Sequence, residues 1–260
     1  MKLLVFQHIA CEHPGALVPL LRSVGIGWDA VELDEGGRIP PLESYDMLWV
    51  MGGPMDVWDV DEHPWLVEEK RAIRRFVREL DRPFLGLCLG HQLLADALGG
   101  TCGPQQPAEI GVLDVTLTDD GLADPLFNGM PRILQVLQWH GVRVAEPPDG
   151  AVVLASSAAC RCQAMRVGPW AYSMQYHVEV ESDTVANWAA IPAYRRALEA
   201  TLGSGAAPRL EAEASRAMPE FAASTERFFR NLMGIARGHP RLRAAPAGFR
   251  PDYVKIVTPS

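Results

Sequence analysis

The sequence predicts an α/β protein with a mainly parallel sheet covered by helices on both faces. Three observations carry that expectation. Strand-like runs at residues 2–9, 29–33, 47–51 and 84–87, most of them apolar, alternate with stretches of helical periodicity. Several of these runs end in glycine-rich turns, as strand-to-helix connections require. The texture changes after Gly100, where short β-prone runs are separated by Gly, Pro and Asp, before helical patterning resumes near Ser182.

Taken in order, residues 2–9 read as a buried strand and 15–24 as the helix behind it. The run Leu3-Leu4-Val5-Phe6 ahead of Ala10-Cys11 resembles the apolar core of an export signal. Gln7 and His8 interrupt it well before signal length, so a first strand is the better reading. Residues 29–33 form a short strand followed by a Gly/Pro-rich loop, and 47–51 a second apolar strand ending in Gly52-Gly53-Pro54. Pro64 suits the first turn of a helix whose apolar stripe is Leu66, Ile73, Phe76, Val77 and Leu80. The strand into Cys88 follows, then a helix marked by Leu93, Leu94, Ala97 and Leu98 and stopped by Gly99-Gly100.

Beyond it, 109–119, 133–139, 142–145, 151–155, 162–167 and 170–178 look like a small subregion of β-hairpins. Helices are expected from Ser182, with a break at 203–208 and another helix over 210–236. The tail from His239, rich in Pro, Ala and Arg, reads equally as a surface arm or a partner-binding segment.

The 260 residues can bury one large core. Hydrophobic content of 48% and charged content of 22% are those of an ordinary globular protein, and a net charge of −8 argues against nucleic acid or anionic membrane as a partner. No segment reaches transmembrane length. Five cysteines, odd in number and without zinc-like spacing, fit a reduced, cytoplasmic protein with no bound metal.

The chemistry centres on Gly86-Leu87-Cys88-Leu89-Gly90-His91-Gln92. Strand, tight turn and helix place Cys88 on a nucleophile elbow, beside helix N–H groups that favour a thiolate. A small apolar cysteine closing a buried strand fits the same stretch. A nucleophile needs a base, and His177, at the end of the apolar run 170–176, stands two residues before Glu179, which can orient its ring. The remaining histidines are mostly loop residues. Gly52-Gly53 can bring backbone N–H groups close to a developing oxyanion, and the Leu89 N–H is the second candidate donor. In an open α/β sheet, Gly53, Cys88 and His177 all fall beyond the carboxyl ends of strands.

Together the elbow, Gly52-Gly53-Pro54 and Gln175-Tyr176-His177-Val178-Glu179 resemble the class I (triad-type) glutamine amidotransferases, in their stand-alone GMP-synthetase-like subgroup, over residues 1–182. The resemblance implies a flavodoxin-like, doubly wound fold with residues 1–182 as the catalytic domain. Residues 183–260 would then be a C-terminal helical extension and tail packed on it. It also implies that Cys88 is the nucleophile, His177 the general base and acid, and Glu179 its orienting partner. Gly53 and Leu89 would supply the oxyanion hole. Gln92, and less directly Trp139 and His140, would hold the substrate glutamine, while His91 is structural. The family usually has proline where this chain has Val178, and Glu181, two residues beyond Glu179, would be the alternative partner for His177, with Glu179 preferred.

Hydrolysis of the glutamine side-chain amide needs no cofactor. The ammonia would pass to a separate synthase, since the chain holds no Gly-rich ATP loop. Two other functions fit the same scaffold: a stand-alone γ-glutamyl hydrolase or peptidase, and a non-catalytic binding protein. A homodimer surface on the C-terminal helices is compatible with each.

Overall fold

Four strands whose residues are almost all apolar pair in parallel and form the centre of the protein. In this computed structural model, which describes residues 1–243, β1 (Leu3–Gln7) is flanked by β2 (Trp28–Glu32) and β3 (Met47–Val50), and β3 by β4 (Phe84–Leu87). The part of the expected tail beyond residue 243 lies outside the described residues. Every residue of β1, β3 and β4 is buried, as a sheet covered on both faces requires. Helix α1 (Leu17–Ser23) connects β1 to β2, α2 (Trp65–Arg74, continued by one wide π turn over 75–79) connects β3 to β4, and α3 (Leu89–Ala97) follows β4. Two of the core clusters lie on opposite faces of this sheet. Leu3, Val5, Met47 and Trp49 point one way, and Leu4, Phe6, Leu48 and Val50 the other, the period-2 pattern of strands.

The β-rich middle of the chain is not a separate layer. Strands β5 (Thr101–Leu117), β6 (Ile133–Glu146), β7 (Ala151–Ser156), β8 (Ala164–Val167) and β9 (Ala171–Met174) extend the same sheet, with the short helix α4 (Asp119–Ala123) between β5 and β6. The order is β2-β1-β3-β4-β9-β8-β7-β5-β6, with β9 parallel to β4 and the strands beyond it antiparallel. Runs that read as separate short strands at 133–139 and 142–145 are one continuous strand, paired with β5 across two register shifts.

Helices α5 (Thr184–Ala190), α6 (Pro192–Leu202), α7 (Ala207–Gly238) and α8 (Pro240–Arg243) complete the described chain. Phe228, Phe229, Leu232, Met233 and Ala236 of α7 join the β-sheet core, and Thr225 donates to the Val178 carbonyl at 2.6 Å. Among the described residues no helix is long and apolar enough to cross a membrane.

Candidate active site

The elbow forms because its neighbours are glycines. Cys88 has φ +50° and ψ −103°, a conformation that non-glycine residues rarely hold, and it stands immediately before the first residue of α3. A Cβ at Gly86 would lie 2.4 Å from the Gly90 carbonyl oxygen, and one at Gly90 only 2.1 Å from that of Val50. Side chains at either position would push the turn apart. The Cys88 N–H is tied to the Met174 carbonyl (2.9 Å), which fixes the elbow to β9.

His177 and Glu179 follow β9 in a bent segment rather than on an extended strand. The ring nonetheless finds its partner: His177 Nδ1 lies 2.6 Å from Glu179 Oε1, and both side chains are buried. Three elements hold the segment. His177 N–H donates to Leu137 O of β6 (3.1 Å), Ala16 N–H at the start of α1 donates to Glu179 O (2.9 Å), and Thr225 takes the Val178 carbonyl. Val178 itself supplies an N–H that proline lacks, and this N–H donates to Glu179 Oε2 at 2.8 Å. Both carboxylate oxygens are thereby engaged. Burial opposes a charge on His177, but the Glu179 carboxylate and the Cys88 sulfur beside it hold its pKa well above the usual histidine value. Glu181 is half-exposed and 3.9 Å from His13, so it is turned away from His177.

Gly53 packs against the elbow: a Cβ there would meet Leu89 Cδ2 and His8 Cβ, each at 2.9 Å. Leu89 is the first residue of α3, where helix geometry provides no partner for its N–H. Gln92 is buried behind the sulfur. Its Nε2 donates to Val142 O (3.3 Å) and to Gln175 Oε1 (3.2 Å), and Gln175 Nε2 in turn donates to Cys88 Sγ (3.7 Å). Gln92 thus reaches Cys88 through Gln175. His91 donates to Cys162 O and accepts from Ser173 Oγ, and burial lowers its pKa to about 3, so it is a neutral structural residue. His140 donates to Val142 O and its Nε2 lies 3.3 Å from Glu109. Trp139 is buried edge-on against Trp188 of α5, whose ring lies 4.4 Å from that of His177.

Two residues without a sequence signal enter this site. Glu12, on the loop after β1, presses its carboxylate against Gly52, where a Cβ would come within 2.5 Å of Oε2. Tyr194 of α6 donates to Glu12 Oε1 at 2.6 Å. Burial, together with repulsion from Glu179, raises the Glu12 pKa to about 7 despite the opposing pull of His177. Ligand atoms of Glu12, His177 and Glu179 lie within 4.8 Å of one another, a spacing open to a metal ion. Glu179 and Glu12 Oε1 are already spent on His177, Val178 and Tyr194, which leaves few lone pairs for a cation.

A carboxyl that binds its proton more tightly when folded costs stability progressively as pH rises above its unfolded value of 4.5, and the cost is complete once pH has passed its folded value of about 7. Replacing Glu12 by glutamine removes this titration and keeps an acceptor for Tyr194. The variant's thermal stability relative to the parent should therefore rise between roughly pH 5 and pH 8, by up to about 3 kcal/mol. An offset that does not change with pH would contradict the assignment.

The model of the family described as glutamine amidotransferase class-I matches residues 15–187. The chain is 32% identical over 192 residues to the glutamine amidotransferase-like protein YfeJ of Salmonella typhimurium, covering 71% of this chain and 78% of that one. It is 35% identical over 157 residues to one of the subunits of a glutamine-hydrolyzing GMP synthase from Saccharolobus solfataricus, covering 60% of this chain and 79% of that one. A crystal structure of a glutamine amidotransferase from Thermotoga maritima superposes with a TM-score of 0.79 at 27% identity, over 91% of this chain and 98% of that one. The matched window holds Cys88, His177 and Glu179, begins after His8 and Glu12, and ends before Trp188 and Tyr194. The chain belongs to the class-I glutamine amidotransferases.

Proposed function

We propose that the protein hydrolyses the side-chain amide of glutamine through a γ-glutamyl thioester on Cys88. The observation that carries this reading is Cys88 on a positive-φ elbow beside a buried histidine whose ring is held at 2.6 Å by a carboxylate. The Cys88 thiolate attacks the γ-carboxamide carbon, and the N–H groups of Gly53 and Leu89 receive the tetrahedral oxyanion. As the intermediate collapses, the C–N bond breaks and the His177 imidazolium gives its proton to the departing nitrogen. His177, now neutral, takes a proton from water, whose hydroxide attacks the thioester carbon. Glutamate leaves, and the sulfur returns as thiolate beside a reprotonated His177. Glu179 keeps the ring oriented throughout.

We read residues 1–182 as the catalytic unit and the helices after 182 as the wall that closes it, through Trp188 and Tyr194. The ammonia passes to a separate synthase in the reduced cytoplasm. Cys88, His177 and Tyr194 are all less than a tenth exposed, which favours glutamine over bulkier γ-glutamyl conjugates.

The test is release of ammonia from free glutamine, and of the free amino acid from a γ-glutamyl dipeptide, by the purified protein. Turnover of glutamine at least about tenfold more efficient than that of the dipeptide is expected, since a confined pocket penalises each added group. Preferential cleavage of the dipeptide would make the protein a γ-glutamyl peptidase instead.

A further inference from the structure

His8 and Glu69 form a buried pair that the chemistry above does not use. His8 follows β1, Glu69 lies on the inner face of α2, and both side chains are 0% exposed. His8 Nδ1 is 2.8 Å from the Gly52 carbonyl oxygen, and Nε2 is 2.9 Å from Glu69 Oε1. A carbonyl oxygen can only accept, so Nδ1 must carry a proton. A carboxylate facing Nε2 calls for a second proton there, which makes the ring an imidazolium. Burial opposes the charge on His8, yet Glu69 raises its pKa above the usual value. Trp65 stacks over the ring at 5.6 Å and 17°. Burying two charged groups is costly compared with an apolar pair, so the arrangement needs a reason.

The reason lies in the peptide that His8 grips. The Gly52 C=O and the Gly53 N–H belong to one planar trans unit and point in opposite directions. Holding the oxygen therefore aims the N–H, and a hydrogen bond to that oxygen also makes the N–H a stronger donor. Between two glycines the peptide has no side chain of its own to fix it.

We propose that His8, backed by Glu69, is a positioning residue that locks the Gly52–Gly53 peptide with its N–H turned toward the oxyanion formed at Cys88. This rests on the reading of Cys88 as the nucleophile and of Gly53 as a donor to the oxyanion formed there.

Two variants of similar size separate the roles. His8→Asn keeps an N–H near the position of Nδ1, whereas His8→Gln carries its amide to the level of Nε2, facing Glu69, and leaves Gly52 O without a donor. Loss of one aligned oxyanion donor lowers kcat by about 10²–10³-fold. His8→Gln should therefore lose roughly 10²-fold in kcat with KM changed less than about threefold, and His8→Asn should recover at least about tenfold of that. The second readout is binding of glutamate γ-semialdehyde, which adds to the thiolate and leaves its oxygen in the hole. Its affinity should fall in His8→Gln in parallel with kcat, while alkylation of Cys88 by iodoacetamide keeps the parent rate. Glu69→Gln should fall between the two His8 variants.

Equal kcat in the two His8 variants, or a loss of kcat without weaker aldehyde binding, would overturn the proposal. Parent-like turnover in Cys88→Ala would instead remove the reading on which it rests, so the two failures are distinguishable.

Discussion

Replacing Cys88 by alanine should lower glutamine hydrolysis by about four orders of magnitude or more, down to the background of the site without a nucleophile. The thioester route has no substitute for the sulfur. Cys11 and Cys102 lie on other elements, burial pushes their pKa up to about 11 and about 12, and neither shares the elbow. The fold should survive, since Gly86 and Gly90 set the turn and the Cys88 N–H keeps its bond to Met174 in any residue. Ammonia release and thermal unfolding, measured on the same sample, check both halves of this expectation.

The second large effect belongs to Glu179. Glu179→Gln is expected to cost about 10³–10⁴-fold in kcat, because an amide at this position does not fix the tautomer or support the imidazolium. It should also shift the limb of the pH profile that reports His177 to lower pH. Burial alone drives that pKa down, and Glu179 is the first group that opposes it. Glu181→Gln should leave kcat within about threefold of the parent, as expected for a half-exposed carboxylate facing His13. If the two variants exchanged effects, Glu181 would be the partner of His177.

Much of this was legible in the sequence. The strands β1, β3 and β4 rest on short, nearly uniform apolar runs, and the elbow on two glycines bracketing a cysteine. Both are local signals that tertiary context only reinforces. The middle of the chain was harder. Pro104, Pro107 and Gly111 interrupt the pattern of β5, and its register against β6 shifts between Pro104 and Glu109, so a long ribbon reads as fragments. His177 and Glu179 were found through their spacing, although the extended backbone assumed for them is bent. What joins them is the three-sided clamp of Leu137, Ala16 and Thr225, which no local pattern encodes.

Glu12, Tyr194 and His8 were not legible at all. Each reaches the site from a distant segment: Tyr194 meets Glu12 across 182 positions, and His8 meets Glu69 across 61. A single buried carboxylate or histidine looks like any other loop residue until the fold supplies its neighbour. Val178 is the opposite case. It departs from the family pattern, yet its N–H adds a hydrogen bond to Glu179.

The most direct measurement is to mix the protein with glutamine carrying a labelled carbon skeleton, quench with acid during turnover, and map the label on the digested protein. Label is expected on the peptide that contains Cys88, released by mild base as glutamate and absent from Cys88→Ala. Glutamate formed at the parent rate by Cys88→Ala, or label carried by a different residue, would contradict a thioester on Cys88.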